Sequence, residues 1–462
     1  MSDEGHAVGT GRRVAVIGAG YVGSTSAACL ARLGHTVVCV DNDPDRVARL
    51  RRADVPIREP GLAELISAGV RARRLSFTGD LDQVRGCDTV LLCLPTPAGG
   101  DGRADLSVID RVADRLTGVL SPGTIVVVKS TAPVGTARWL ARRFTGRGVA
   151  VVVNPEFLRE GHAVDDFLHP DRLVVGADDE AAGRSVAELY AGLDAPAVCT
   201  DPVTAALAKY AANAFLAVKA SYANELAELC ETVGGDVTAV TAAMGLDPRI
   251  GPHHLRPGPG WGGACLPKDT AALLATAQDA GTAMHSVSAA VVVNRRQGRR
   301  AADLIARLCG PGPLRLGLLG LTFKPGTDDL RCSPALTVAA ELAHRGHRLV
   351  AHDPAVPAGT VVEAVPECTV AAHPHDAAAG ADALVVLTDW PSFRELDWPR
   401  MARAMRLPRC IDLRGGLEET TMRAAGITYH RIGHGSCGDA GEPRIGPAAA
   451  ADAPRFAPVI GG

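Results

Sequence analysis

Strands and helices alternate along most of this 462-residue chain, and this alternation constrains the fold more than any other feature. An apolar strand in RRVAVIG leads into a glycine-rich turn, an alanine-rich helix and a second strand in HTVVCVDND. Further strand-like runs follow in DTVLLCLP, GTIVVVKS, VAVVVNP and RLVVG, with helical stretches between most of them. Alternation of this kind predicts a parallel, doubly wound α/β sheet, which we expect to end near residue 200.

A long helix and a second α/β segment follow. Asp201-Pro202 is a helix-start signal and Gly234-Gly235 a stop, so the sequence between them predicts a helix of about 30 residues, roughly 45 Å long. A Gly/Pro-rich loop and more helix reach about residue 308, and a fresh strand begins in LRLGLLGLTF. We therefore predict two doubly wound α/β domains joined by a long central helix. The predicted divisions are residues 1–200, 201–308, 309–440 and a disordered tail at 441–462.

Composition excludes several classes of protein. The net charge of -3 gives no electrostatic reason to expect nucleic acid or an anionic membrane as partner. The N-terminal residues lack an apolar signal core, and no apolar run approaches the roughly 20 residues that span a bilayer. The twelve cysteines include no CxxC pair, so we predict reduced thiols and no metal site. These features predict a cytoplasmic protein.

The first glycine-rich turn carries a dinucleotide-binding pattern. Gly18-x-Gly20-x-x-Gly23 lies between a strand and a helix, and Asp41 follows 23 positions after the first glycine. The glycines allow a pyrophosphate to approach the helix N-terminus, and the carboxylate can bind ribose hydroxyls. Because a carboxylate repels a 2′-phosphate, the pattern favours NAD over NADP.

Three further clusters are candidates for chemistry, and each has a plainer alternative. Asn154-Pro-Glu-Phe-Leu-Arg-Glu160 follows a buried strand, where α/β sheets bind ligands, but glutamates also favour helix starts. Lys209 and Asn213 stack on one face of an apolar helix, either as a catalytic pair or as a solvated stripe. Cys265 stands among glycines in GWGGACLPKD, where Lys268 could stabilise a thiolate; structural cysteines more often sit among apolar neighbours.

Lysine is scarce in this chain, which has five lysines against 43 arginines. A lysine that is retained in such a composition can mark a place where a compact or titratable amine is needed. Four of the five fall inside the unusual motifs, although drift in a lysine-poor composition is the simpler explanation for any single one.

The order of these motifs resembles the UDP-glucose/GDP-mannose dehydrogenase family. GAGYVG, KSTAPVGT, NPEFLREG, Lys-x-x-x-Asn, GWGGACLPKD and FKPGTDDLRCSPA succeed one another over nearly the whole chain. The resemblance implies two Rossmann-like domains and a long helix that also builds a homodimer or a higher homo-oligomer. It further implies an NAD-dependent oxidation of a nucleotide sugar at its sugar alcohol. The segment Arg249-Ile-Gly-Pro is similar to the branch of the family that acts on UDP-glucose.

The resemblance also implies roles for individual residues. Cys265 would be the nucleophile, and Arg249 would reach the substrate site of a neighbouring subunit. The residues expected to be catalytic are Cys265, Lys209, Asn213, Asp269, Glu156, Glu160 and Thr131. Those expected around NAD are Gly18, Gly20, Tyr21, Val22, Gly23, Asp41, Arg46, Thr96, Thr131, Glu160 and Arg331. Those expected around the nucleotide sugar are Phe157, Leu158, Arg159, Glu160, Lys209, Asn213, Arg249, Gly262, Lys324 and Arg414.

Two positions depart from the family pattern. Ala264 stands where the family usually has serine before the cysteine, and a small residue is kept. Cys332 stands after Arg331 where glutamate is usual, and the sequence assigns it no role.

A cysteine in this place is meaningful for an alcohol dehydrogenase that continues to the acid. An aldehyde has no good hydride to give until a nucleophile adds, and a thiolate adduct supplies one. We therefore expect a four-electron oxidation of UDP-glucose to UDP-glucuronate with two NAD and water. The alternatives are the same chemistry on GDP-mannose or another UDP-hexose, a two-electron 3-hydroxyacid-type dehydrogenase, and an inactive NAD-binding scaffold.

Overall fold

A computed structural model describes residues 11–100 and 102–435 of the chain. The tail predicted at 441–462 lies outside these residues. Within them, no helix combines the length and the apolar character that a membrane span needs.

The first sheet has eight strands in the order β3-β2-β1-β4-β5-β6-β7-β8. Its strands are β1 (Arg13–Ile17), β2 (Thr36–Val40), β3 (Leu75–Thr78), β4 (Thr89–Leu92), β5 (Ile125–Val128), β6 (Ala150–Val153), β7 (Leu173–Ala177) and β8 (Ala197–Thr200). The strand order reverses between β1 and β4, and ligands of doubly wound sheets bind at such a switch point.

The second sheet has six strands in the order β11-β10-β9-β12-β13-β14, numbered on from the first. They are β9 (Arg315–Leu319), β10 (Arg348–His352), β11 (Thr369–Val370), β12 (Ala383–Val386), β13 (Arg409–Asp412) and β14 (Thr428–Arg431). This order repeats that of the first six strands of the first sheet, so both sheets are Rossmann-like and the predicted fold class is confirmed.

Helices cover the sheets and connect them. Those of the first sheet are α1 (Tyr21–Arg32), α2 (Pro44–Arg51), α3 (Leu62–Arg71), α4 (Ser107–Leu116), α5 (Thr136–Arg143), α6 (Ala163–Leu168) and α7 (Glu180–Ala187). The central helices are α8 (Pro202–Val233), α9 (Val237–Gly245), α10 (Leu266–Asp279) and α11 (His285–Cys309). Those of the second sheet are α12 (Pro334–His344), α13 (Pro374–Ala378), α14 (Trp398–Ala404) and α15 (Glu419–Ala424). Short 3-10 turns span Leu81–Val84, Glu188–Tyr190 and Pro391–Glu395.

One strand pair departs from the predicted parallel sheet. β6 and β7 run antiparallel, whereas the other paired strands of this sheet are parallel. The reason is the connection, because the chain turns back through the short helix α6 and does not cross over the sheet before β7.

Helix α8 joins the two hydrophobic cores. The Asp201 carboxylate accepts hydrogen bonds from the backbone N–H groups of Val203 and Thr204, and Gly234 ends the helix with φ +81°. Ala205 packs into the core beneath the first sheet and Ala227 into the core of the second. At 32 residues and 1.5 Å per residue the helix is about 48 Å long. It therefore fixes the distance between the two sheets.

Candidate functional site

The glycine-rich turn after β1 has the shape that a dinucleotide needs. Gly18 has φ +98°, and a Cβ atom there would lie 2.3 Å from the carbonyl oxygen of Cys93. A Cβ on Gly23 would lie 1.7 Å from the Gly18 oxygen, so this glycine lets the helix pack closely. A Cβ on Gly20 would meet nothing within 4 Å, which leaves open space at the start of α1. The three glycines therefore differ in role, and only Gly20 faces space that a pyrophosphate could fill.

The acidic residue of the pattern lies beside this turn. Asp41 accepts hydrogen bonds from the N–H groups of Ala19 at 2.6 Å and Asp43 at 2.9 Å. The Arg46 guanidinium approaches both of its carboxylate oxygens at 3.2 Å. Tyr21, next to the turn, donates its hydroxyl to Glu59. Seven of the residues predicted around NAD thus lie together at the first turn, and Val22 among them is half-buried at the start of α1.

The loop that carries Cys265 is held by polar groups from two helices. The backbone N–H of Trp261 donates to Asn294 at 2.8 Å, and the Asn294 amide returns a bond to the Trp261 carbonyl at 2.9 Å. The Trp261 indole donates to Ser221 at 2.9 Å, and the N–H of Gly258 donates to Asn224 at 2.8 Å. Sequence reasoning missed these three anchors.

The spacing of two of these anchors, Ser221 and Asn224, could nevertheless be read from the sequence. Ser221 and Asn224 follow Lys209 and Asn213 on α8 at spacings that keep all four on one side of the helix. One polar stripe on an apolar helix therefore serves both the catalytic pair and the cysteine loop.

Gly262 shows how closely the cysteine loop approaches the second sheet's domain. A Cβ at this position would lie 1.9 Å from the carbonyl oxygen of Cys332. Cys332 itself has φ +48°, which is uncommon for a residue with a side chain. The loop after β9 and the cysteine loop are therefore in backbone contact, and Cys265 lies between the two sheets.

Lys209 and Glu156 form a buried ion pair beside Cys265. The Lys209 Nζ atom lies 3.1 Å from Glu156 Oε1, and their side chains are 4% and 7% exposed. Burial alone would raise the pKa of Glu156, but the Lys209 ammonium, the N–H of Leu158 and the Lys129 ammonium hold it below its usual range. Glu156 is therefore ionised at neutral pH. The plainer interpretation of Lys209 as part of a solvated stripe is excluded by its burial.

A second polar group surrounds Asp269 on α10. Its carboxylate is 1% exposed and accepts from the Asn213 amide at 2.5 Å and from the Lys268 ammonium at 2.6 Å. Asn213 lies one helical turn after Lys209, so the helix presents both groups to the same place. The structure thus brings together the lysine, asparagine and aspartate that the sequence singled out.

Cys265 precedes α10 and lies among these charges. Dense protein around its Sγ atom and the Glu156 carboxylate raise the pKa of this thiol to about 11, against the opposing effect of Lys209. The residue as a whole is nevertheless exposed, so a reagent in the cleft can reach it. A thiol with such a pKa becomes nucleophilic only when a neighbouring base or added positive charge favours the thiolate.

A third group lies where the first sheet's domain meets the loop after β9. The Lys324 Nζ atom donates to the Glu160 carbonyl at 2.6 Å, and Arg331 lies 3.6 Å from the Glu160 carboxylate. Arg331 also pairs with Asp329 at 2.7 Å. Burial and the charge of Asp329 raise the pKa of Glu160, and burial lowers the pKa of Lys324. Two cations and a carboxylate thus line the cleft beside Cys265.

The segment between Glu156 and Glu160 is fixed by its own contacts. The Arg172 guanidinium lies 3.8 Å from the centre of the Phe157 ring, and the N–H of Leu158 donates to Glu156 at 2.7 Å. The Arg159 side chain is already paired with Asp166. The centre of the Phe157 ring also lies 5.2 Å from Lys209 Nζ, and Leu158 packs against the core of the first sheet, whereas the Arg159 charge is engaged by Asp166.

The loops after β4 and β5 meet beside Lys209. The Thr96 hydroxyl donates to the Thr131 carbonyl at 2.8 Å. Thr131 and Lys209 line one cavity of about 200 Å³, together with Ser130 and residues at the start of α8. Thr131 is thus placed across one cavity from Lys209.

The two remaining predicted arginines differ in position. Arg414, after β13, donates to the carbonyls of Leu387 at 2.8 Å and Phe323 at 3.4 Å, which places it next to Lys324. Arg249 is 87% exposed and pairs with its neighbour Asp247. The structure of a single chain therefore brings Arg414 to the cleft but leaves Arg249 away from it.

Comparison with known proteins matches all three parts of the chain to one family. Residues 12–194, 203–296 and 317–419 match the NAD binding, central and UDP binding domains of the UDP-glucose/GDP-mannose dehydrogenase family. The UDP-glucose 6-dehydrogenase of Rhizobium meliloti (strain 1021) is 43% identical over 91% of this chain and 99% of that protein. The enzyme of the same name from Pseudomonas aeruginosa is 42% identical over 92% and 98%.

Solved structures agree with this assignment. A UDP-glucose dehydrogenase from Pyrobaculum islandicum has a TM-score of 0.81 and 36% identity over 93% of this chain and 98% of that one. A UDP-D-ManNAc dehydrogenase from Pyrococcus horikoshii also has a TM-score of 0.81, at 28% identity over 92% and 99%. The predictions of the family and of NAD as cofactor are confirmed, and this chain belongs to the UDP-glucose/GDP-mannose dehydrogenase family as an NAD-dependent dehydrogenase.

Proposed function

We propose that this chain oxidises UDP-glucose to UDP-glucuronate in two steps, with Cys265 as the covalent nucleophile. The observation that carries the proposal is an accessible thiol placed among a buried Lys–Glu pair and an Asn–Asp–Lys group with a buried aspartate at its centre. Two relatives above 40% identity named UDP-glucose 6-dehydrogenase support the choice of substrate. NAD, when bound, supplies the hydride acceptor.

In the first oxidation the chain's residues handle the sugar alcohol. Lys209 and Asn213 bind the hydroxyl and a water beside it, and the buried Asp269 orients the Asn213 amide. The hydroxyl passes its proton to that water as the carbon gives up its hydride, and the Lys209 ammonium stabilises the negative charge that develops on the oxygen. The product of this step is the aldehyde.

In the second oxidation the Cys265 sulfur forms a bond to the aldehyde carbon, and the thiol proton is lost to a neighbouring base. The resulting thiohemiacetal loses a hydride and its hydroxyl proton and becomes a thioester. Water then attacks the thioester carbon, the C–S bond breaks, and the carboxylate and the free thiol are released. Glu156, Glu160 and Thr131 are proposed to position and deprotonate that water.

The substrate is proposed to lie along the cleft between the two sheets. Its diphosphate faces Lys324 and Arg414, because guanidinium and ammonium groups bind phosphate oxygens strongly. Its sugar lies against Gly262 and the segment from Phe157 to Glu160. NAD is proposed to contact the first glycine turn, Asp41, Arg46, Thr96, Thr131 and Arg331.

A homodimer or larger homo-oligomer is part of the proposal. Phe215, Tyr222, Leu229 and Val233 on α8 are each between 49% and 63% exposed. Their spacing of seven, seven and four residues places them along one face of the helix. An apolar helix face of this kind is suited to a second copy of the chain, which would also bring the exposed Arg249 towards a neighbouring site. The cytoplasmic location stays a prediction from the sequence.

The deciding experiment counts NADH. With limiting UDP-glucose we expect two NADH per sugar and stoichiometric UDP-glucuronate. One NADH per sugar would indicate a two-electron enzyme and would contradict the role of Cys265. If GDP-mannose or UDP-N-acetylglucosamine gives two NADH and UDP-glucose gives none, the mechanism stands and the substrate assignment is wrong.

A variant tests the covalent step separately. Cys265→Ser is expected to lower acid formation on the order of a thousandfold or more while NAD binding is kept. Cys332→Ser is the matched control, because Cys332 is also exposed and lies across the same cleft. Full turnover in Cys265→Ser would exclude the thioester.

A further inference from the structure

Lys129 is a buried cation that the proposed mechanism does not use. It directly follows β5, its residue surface is 4% exposed, and its Nζ atom donates to Asn154 Oδ1 at 3.0 Å and to the Tyr190 hydroxyl at 3.2 Å. The ammonium also lies 5.3 Å from the centre of the Tyr190 ring. Among the residues that the structure describes, no carboxylate lies within 4.0 Å of this Nζ atom. Only neutral groups therefore touch it.

The neutral partners hold the turn from which Glu156 projects. Asn154 follows β6, its N–H donates to the Val128 carbonyl at 3.0 Å, and its amide donates to the Val174 carbonyl at 2.8 Å. The Tyr190 hydroxyl donates to the same Asn154 oxygen at 2.5 Å. Since only Pro155 separates Asn154 from Glu156, contacts at Asn154 limit where the Glu156 carboxylate can lie.

Two positively charged groups and two thiols surround the Glu156 carboxylate. It faces the ammonium of Lys209 from α8 and that of Lys129 from the end of β5, and the thiols of Cys93 after β4 and Cys265 before α10. Two cations thus act on one carboxylate. Burial of an ammonium without a counterion at contact costs free energy, which attraction to a nearby carboxylate offsets.

We propose that Lys129 is a positioning residue that fixes the turn carrying Glu156 and adds a second positive charge near this carboxylate for the hydrolysis of the thioester. The proposal rests on the proposed function only in giving Glu156 a role in that step. An ionised glutamate can accept a proton from the attacking water, whereas a protonated one cannot. Lysine suits the place because a single compact ammonium fits between Asn154, Tyr190 and the turn.

The pH profile of kcat tests this proposal. Lys129→Met removes the positive charge at similar volume, so the pKa of Glu156 rises and more of it is protonated at a given acid pH. Because Lys209 still acts on Glu156, we expect the acid limb of the profile to move up by only about 0.3 pH unit, with about twofold lower kcat below the limb and little change at alkaline pH. Lys129→Arg, if it folds, keeps the charge and should restore the limb.

Tyr190→Phe is the matched control. It removes one hydrogen-bond partner of Lys129 and keeps the charge, so it should lower the melting temperature without moving the limb. If Lys129→Met is poorly folded, Lys129→Gln removes the same charge with a polar side chain and must give the same displacement. An equal loss of kcat at every pH, or a limb at the wild-type position, would reduce Lys129 to a structural role and overturn the proposal.

The test is run with whichever nucleotide sugar the wild-type chain oxidises. A failure with UDP-glucose alone would therefore count against the proposed substrate, and an unmoved limb with the working substrate would count against Lys129.

Discussion

The turns after the first strand of each sheet share one backbone plan but differ in what they offer a ligand. The N–H of Gly18 donates to the Val40 carbonyl at 2.7 Å, and that of Gly320 donates to His352 at 2.8 Å. The two glycines have nearly equal φ angles of +98° and +96°. In each turn the next N–H donates to an aspartate at the end of the adjacent strand, Asp41 in the first and Asp353 in the second.

The chain continues differently after the shared glycine. Helix α1 starts directly after Gly20, so its free N–H groups face the ligand space. In the second turn α12 begins only at Pro334, and the loop between carries Lys324 and Arg331 into the cleft. The first turn thus presents backbone groups at the proposed cofactor site, and the second delivers side chains to the proposed substrate cleft.

The two aspartates also differ in the number of hydrogen-bond donors that they bind. Asp41 is 7% exposed, accepts from two backbone N–H groups and pairs with the half-buried Arg46. Asp353 is 2% exposed and is saturated. Its carboxylate accepts from the N–H groups of Leu321, Thr322 and Ala355, the Thr322 hydroxyl and the Trp390 indole. The shared position is therefore held by fewer donors in the first domain than in the second, where the aspartate is fully engaged within the core.

The largest effect is expected at the shared glycine of the second turn. A Cβ on Gly320 would lie 2.4 Å from Thr388 Cβ, in addition to the left-handed backbone. Gly320→Ala should lower the free energy of unfolding by about 4 kcal/mol or abolish folding. Gly346→Ala is the control, because Gly346 has φ +82° and open space around its Cβ position, so its cost should be only about 1–2 kcal/mol. Equal costs in urea unfolding would show that crowding at Thr388 is not decisive.

Substitution of Asp353 should mainly lower stability, whereas substitution of Asp41 should mainly weaken NAD binding. Asp353→Asn turns an amide N–H₂ towards one set of donors and should cost about 3 kcal/mol of unfolding free energy. Asp41→Asn should cost about 1 kcal/mol and weaken NAD about tenfold, since fewer donors depend on it. Urea unfolding and NAD titration of both variants check this contrast. A loss of NAD affinity in folded Asp353→Asn, or none in Asp41→Asn, would contradict it.

Much of this plan was predictable from the sequence because its signals are local. The glycine pattern, the Asp201 cap and the Gly234 stop depend on neighbours in the chain, and α8 begins and ends within a residue or two of its predicted limits. The short strands β3, β8, β11 and β14 were missed. These four are the edge strands, and they carry exposed or half-exposed residues in place of an apolar run.

Residues of the candidate site could be predicted from the sequence where they belong to a scarce residue type, which in this chain is lysine. Each of the five lysines donates to a defined partner, which for Lys219 is the pair of carbonyls of Ile250 and Gly251. Antiparallel β7, the anchor Asn294 and the backbone contact at Cys332 were not predictable, because they depend on contacts between distant segments. The predicted divisions at residues 200, 308 and 440 stay predictions.

Within the first turn, Gly20 should affect binding alone. Its backbone has φ -75°, which alanine adopts, and an added Cβ would meet nothing within 4 Å. Gly20→Ala should leave the free energy of unfolding within about 0.5 kcal/mol of wild type but weaken NAD about thirtyfold, or about 2 kcal/mol, by filling the pyrophosphate space. Gly23→Ala is the contrast, since its Cβ would lie 1.7 Å from the Gly18 oxygen and should disrupt folding. Unchanged NAD affinity in Gly20→Ala would contradict the binding of NAD at this turn.

The smallest expected effect is a change of UDP affinity with pH. It distinguishes recognition of UDP by a side chain from recognition of NAD by backbone groups. Burial lowers the pKa of Lys324, which also faces Glu160, Arg159 and Asp166, so its charge is lost at a lower pH than that of an ordinary lysine. Because UDP is an anion, its affinity should fall as pH rises towards that pKa, by about threefold between pH 8 and about 10, while NAD affinity at the first turn stays constant. Lys324→Arg keeps its charge over this range and should flatten the UDP profile, which also separates the effect from ionisation of the uracil ring. A UDP profile that falls equally in Lys324→Arg would mean that the loop after β9 does not recognise the diphosphate through this ammonium.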